Sequence, residues 1–159
     1  MGRRIRIRLQ AKLPAQQPPR PAAPRRQPPR PVQHAAATVG AVFGLFGLLG
    51  FLPGLTVHME ELTVAGEQTR TLLFGLFAVS VLHNVIHLLL AVAGLAMATS
   101  ARLARWYLLA GGAVNLIIAL LGVTPAADAI PVNGPDAWLQ LVLGAAMLGL
   151  SLLPGKRRS

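Results

Sequence analysis

Cysteine is absent from the 159 residues. That excludes disulfides, thiolate catalysis and cysteine-based metal sites. Acids are nearly as scarce: Glu60, Glu61, Glu67, Asp128 and Asp136 complete the set. None falls inside an apolar segment, so no buried acid is available to carry a proton or cation. No nucleophile, base and acid form a set either, and the chain reads as a protein without enzymatic activity. Charged residues total 13%, against roughly 25% in typical soluble domains. What fills their place is hydrocarbon. The chain is 53% hydrophobic with a mean hydropathy of +0.56, and its apolar residues fall in long runs, the mark of membrane-spanning helices.

The formal net charge of +10 invites a nucleic-acid reading, which the positions of the charges argue against. Nine of the 15 Lys/Arg precede Val32, and most of the others flank apolar runs. Residues 1–33 form a basic tail broken by Pro14, Pro18, Pro19, Pro21, Pro24, Pro28, Pro29 and Pro31. No apolar period survives there, so the tail is expected to be disordered, with anionic lipid as its partner. The lipid bilayer is the main partner of the rest, no nucleic acid is expected, and a homo-oligomer is left open.

The four apolar runs predict an all-α integral membrane fold, with helices at about 35–52, 72–98, 106–123 and 136–153 in a domain spanning 34–154. A basic end, 155–159, follows. Lys and Arg concentrate in the tail, the connection carrying Arg102 and Arg105, and the C-terminus. The acids lie in or beside the other two loops. By the positive-inside rule the chain is a multi-pass cell-membrane protein with both termini in the cytoplasm. Trp106, Tyr107 and Trp138 stand at helix starts, where interfacial aromatics belong.

Small residues line the helices. Gly40, Gly44 and Gly47 share a face of the first, Gly94 lies on the second, Gly112 on the third and Gly144 on the fourth. Such positions let helix backbones approach closely. The chain also echoes itself. Gly40-Ala41-Val42, Leu48-Leu49-Gly50 and Pro53 recur at an offset of 72 as Gly112-Ala113-Val114, Leu120-Leu121-Gly122 and Pro125. An offset of 53 places His87 on Gln140 and Ala91 on Gly144. Two repeated helical hairpins are expected, with His87 and Gln140 at matching depth in the outer half of the membrane.

The costliest residues are polar ones within the apolar runs: His83, Asn84 and His87, then Asn115 and Gln140. Unpaired polar groups in hydrocarbon are unfavourable, so these are the candidate polar node. Three readings stand for them. Interhelical hydrogen bonds would make the node structural. Alternatively it binds a small ligand, lipid or quinone. Haem or metal ligation stands last: His83 and His87 share one helix face, but no third ligand is evident. No cofactor and no metal are therefore expected. His58 beside Glu60 and Glu61 reads as a solvated loop.

Three stretches together resemble a known family. They are Phe51-Leu52-Pro53-Gly54-Leu55-Thr56, then Val81-Leu82-His83-Asn84-Val85-Ile86-His87-Leu88 with Gly94-Leu95, and Pro131-Val132-Asn133 with Asp136-Ala137-Trp138-Leu139. The chain resembles domain of unknown function 4383, an uncharacterised family of bacterial membrane proteins common in actinobacteria, over about Val39 to Leu153. The resemblance implies four spans and no established activity. Members often carry His where this chain has Gln140, which counts against a site needing imidazoles from both helices.

Overall fold

Pro31 opens the first helix, where its missing N–H costs nothing and its fixed φ suits the first turn. The computed structural model describes residues 28–65, 70–122, 124 and 134–155. The expected tail before residue 28, Glu67, Asp128 and the basic end after 155 lie outside the described residues. Four helices make up most of what is described: α1 Pro31–Leu49, α2 Val81–Met97, α3 Ala101–Leu121 and α4 Gly134–Ser151. Among them, α1 and α3 are long and apolar enough to cross a membrane.

The expected second helix, 72–98, is corrected at its start. Leu72–Leu73 (β2) and Phe77–Ala78 (β3) form strands, which pair antiparallel with each other, and β2 pairs with Thr56–Val57 (β1). The β2–β3 turn takes Phe74 and Gly75 at φ 55° and 69°, a conformation that a helix cannot contain. Ser80 then starts α2, its Oγ accepting from His83 N at 3.1 Å. Thr63 and Val64 carbonyls receive the N–H groups of Val81 and Leu82. Helix starts leave such donors free, and these bonds satisfy them.

The third helix also begins earlier than expected. Ser100 caps it, accepting from Leu103 N at 3.2 Å. Arg102 and Arg105 therefore lie in the first turns of α3, and the α2–α3 connection shrinks to three residues, Ala98–Ser100. Tyr107, expected at an interface, is buried beneath α3, whereas Trp106 is exposed.

The helices pack as two pairs, α1 on α2 and α3 on α4, joined chiefly where α1 meets α3. The joining core contains Val32, Ala35, Ala36 and Val39 of α1 with Ala104, Tyr107 and Leu108 of α3. The repeat is visible in the contacts. A Cβ on Gly40 would meet Ala91 O at 3.1 Å and Leu95 N at 3.2 Å. On Gly112 it would meet Gly144 O and the Leu148 side chain, both at 3.0 Å. These are the partners that offsets of 72 and 53 require. The helix ends match as well. Gln33 Nε2 donates to Ala98 O at 2.8 Å, and Arg105 Nε to Ser151 O at 3.0 Å. Each bond ties the start of one helix to the end of its hairpin partner.

Candidate functional site

Four of the five expected node residues, Asn84, His87, Asn115 and Gln140, are buried. They do not meet at one point. His83, Asn84 and His87 belong to the α1/α2 pair; Asn115 and Gln140 belong to the α3/α4 pair. Because α2 and α4 hardly touch, shared depth does not bring His87 to Gln140.

On the first pair, His83 and His87 stack edge to face with centroids 4.3 Å apart. Their i, i+4 spacing puts them on one face of α2. His87 also packs on Phe43 at 5.2 Å. Gly47 makes room for this, since a Cβ there would lie 3.1 Å from His87 Cβ and 2.9 Å from Asn84 O. The Asn84 amide is pressed against the backbone of Gly50, the C-cap of α1. Its side chain is fully buried, and neither Nδ2 nor Oδ1 has a hydrogen-bond partner among the described residues.

On the second pair, Asn115 Nδ2 donates to Gly111 O one turn back at 2.7 Å and approaches Met147 Sδ at 3.9 Å. Its donor is thus satisfied mainly within its own helix. Gln140 Oε1 is buried without a partner. So is Tyr107 Oη, whose ring end lies over the backbone of Gly94. Gly40, Gly47, Gly94, Gly112 and Gly144 all sit where a Cβ would press on a neighbouring helix, and Gly44 faces Ala91 Cβ at 3.2 Å.

Chemically, this arrangement offers amides, imidazoles and a phenol in separate apolar surroundings. No carboxylate joins them among the described residues. The buried Asp136 carboxylate is committed elsewhere, accepting from Ala78 N at 3.0 Å. This anchors β3 to the start of α4, a role the sequence did not indicate.

A family profile described as a domain of unknown function (DUF4383) matches residues 33–153. The chain belongs to this family. The match covers all four helices except the first two residues of α1. No curated protein matches the chain, and no solved structure does. Membership in DUF4383 therefore names a fold lineage and carries no activity with it.

One further cluster stands outside the helices. His58, Glu60 and Glu61 bring their ligand atoms within 4.8 Å of one another, all solvent-exposed. His58 Nδ1 and Glu60 Oε1 are 3.8 Å apart. Exposed groups of this kind are well hydrated.

Proposed function

We propose that this DUF4383 protein is a four-span cell-membrane protein with a structural or accessory role rather than an enzymatic one. One observation carries the membrane reading: all four helices turn large apolar residues outward. Leu48 is 58% exposed on α1, Leu89 63% on α2, Leu120 64% on α3 and Val142 62% on α4. A soluble protein avoids contiguous apolar surface on this scale, whereas lipid chains cover it without penalty. No Asp, Glu, Lys or Arg stands in α1 or α2. In α3 and α4 they are confined to the starts, as Arg102, Arg105 and Asp136. At 1.5 Å per residue even α2 reaches about 26 Å, within the span of a bilayer core.

The positive-inside rule puts the α2–α3 connection, with Arg102 and Arg105 just after it, and both termini in the cytoplasm, and the β-sheet on the outer face. Glycine-mediated contact within each hairpin supports a rigid scaffold role. A second reading is favoured by the buried Asn84 amide and the buried Gln140 Oε1, which have no hydrogen-bond partner among the described residues. Polar groups in hydrocarbon cost free energy until something hydrogen-bonds them, and a small polar ligand, lipid or quinone entering from the outer leaflet would do so.

Single cysteines test the topology. With a membrane-impermeant maleimide on intact cells, Glu60→Cys should label at once and Arg102→Cys only after permeabilisation. Labelling of Arg102→Cys alone reverses the orientation, and labelling of both in intact cells removes the four-span reading. Native mass spectra of protein purified from its own host separate the two functional readings: a bound small molecule supports the second, and bare protein the first.

A further inference from the structure

At the end of the bundle opposite the sheet, the start of α1, the start of α3 and the residues after α4 border an open cleft of about 760 Å³. Its lining mixes three guanidinium groups, those of Arg30, Arg102 and Arg105, with Ala101, Trp106 and Leu109. Two of the arginines are held in place by the chain itself. Arg30 Nη1 donates to Gly155 O. Arg105 spans Ser151 O and Leu153 O, each at 3.0 Å. Arg102 makes no hydrogen bond or ion pair among the described residues and projects its charge freely.

No described carboxylate is at this end. Glu60 and Glu61 lie in the loop beyond α1, and Asp136 at the opposite end of α4. Three like charges in one cleft repel one another, and an anion would relieve that. The sequence adds Lys156, Arg157 and Arg158 directly after Gly155.

From this juxtaposition we propose that the cleft is a binding site for the phosphate headgroup of an anionic phospholipid of the cytoplasmic leaflet. Guanidinium groups match phosphate oxygens in planar, bidentate fashion. Basic pockets beside the ends of membrane helices are suited to such headgroups. The apolar wall selects a lipid over a free phosphate. Trp106, 58% exposed, stands one residue from Arg105, as an interfacial ring beside an acyl chain should. The site differs from diffuse attraction of the N-terminal tail because Arg30 and Arg105 are held by hydrogen bonds to the chain and Arg102 rises from the first turn of α3. It rests on the four-span reading.

The test uses the full-length protein in phosphatidylcholine nanodiscs with a minor fraction of phosphatidylglycerol. Native mass spectrometry after release into mild detergent counts the retained anionic lipid. Wild type should hold phosphatidylglycerol in preference to phosphatidylcholine. Arg30→Gln/Arg102→Gln should weaken retention by roughly thirty-fold, since each Lys or Arg near a lipid surface supplies on the order of 1 kcal/mol, about five-fold. Arg25→Gln/Arg26→Gln removes the same charge from the tail and should weaken retention far less, by about two-fold at most. Equal losses in the two double variants would reduce the effect to net charge and overturn the site. Displacement of the lipid by millimolar inorganic phosphate would make it a soluble-anion site and overturn the lipid assignment. Failure of the wild type to enter nanodiscs would instead refute the membrane reading beneath it.

Discussion

Replacing Gly94 by alanine should force α2 away from α1. A Cβ there would lie 2.8 Å from Tyr107 Cζ, 2.9 Å from Tyr107 Oη and 2.9 Å from Gly40 Cα. The Gly40 atom is helical backbone, and Tyr107 is buried with little room to swing. Carbon atoms settle about 3.5–4.0 Å apart, so the interface must open by roughly half an ångström, forfeiting about a quarter of the dispersion energy of each contact it stretches. Overpacking of this kind costs about 1–3 kcal/mol. Alanine recovers about 0.5–1 kcal/mol in a helix interior, where glycine is entropically disfavoured. The expected net loss is about 1–2 kcal/mol, or roughly a factor of 5–30 in the folded-to-unfolded ratio. Gly149→Ala is the reference, because nothing lies within 4 Å of its Cβ. Only the helix contribution remains there, so the variant should be unchanged or slightly more stable. The assay is reversible unfolding of purified protein in mixed micelles of rising dodecyl sulfate fraction, followed by far-UV circular dichroism. If Gly94→Ala proves as stable as Gly149→Ala, the close approach of α1 and α2 is refuted.

Two other substitutions read the buried polar groups in the same assay. Asn84→Leu removes two buried atoms that have no hydrogen-bond partner among the described residues and keeps much of the side-chain shape. It should be neutral or stabilising by about 1 kcal/mol, whereas a loss above about 2 kcal/mol would show that the amide is hydrogen-bonded in the folded protein. Asp136→Ala strips the acceptor from Ala78 N, leaving a buried donor unpaired. A loss of about 1–3 kcal/mol is expected, with faster proteolysis of the 53–80 segment. Unchanged stability and proteolysis would mean that the sheet does not depend on α4.

The helix count and the hairpin pairing were legible in the sequence because apolar runs and glycine spacing reflect local periodicity and close packing directly. The start of α2 was not. Leu72–Ala78 is an apolar run with one glycine, and such a run suits a strand as well as a helix. Phe74 and Gly75 settle it through a backbone conformation that composition does not announce. The polar node was legible residue by residue but not as a site. The repeat predicts the depth of His87 and Gln140 from their offset, yet depth along a helix says nothing about which helices touch. Tyr107 was misread for a similar reason. Position near a helix start suggests an interface, but its face of α3 is turned towards Gly94 and the core.

The repeat sharpens where a function should be sought. The two hairpins agree where backbones meet, at Gly40 on Ala91 and Gly112 on Gly144, and where Gln33 and Arg105 cap the partner helices. One contact even survives an exchange of sizes: Gly44 opposes Ala91, while its counterpart Leu116 presses on Gly144. Agreement of this sort answers to packing alone and would be needed in any scaffold. The hairpins part company towards the starts of α2 and α4. Phe43 against His87 in the first corresponds to Asn115 and Gln140 in the second, and Asn84 corresponds to Ala137. A purely mechanical repeat has no reason to place a fully buried asparagine on one side and an alanine on the other, because each orphaned amide weakens the fold. The asymmetry therefore singles out Asn84, with His83 and His87 beside it, as the first place to look for a ligand. It assigns the glycine contacts to stability.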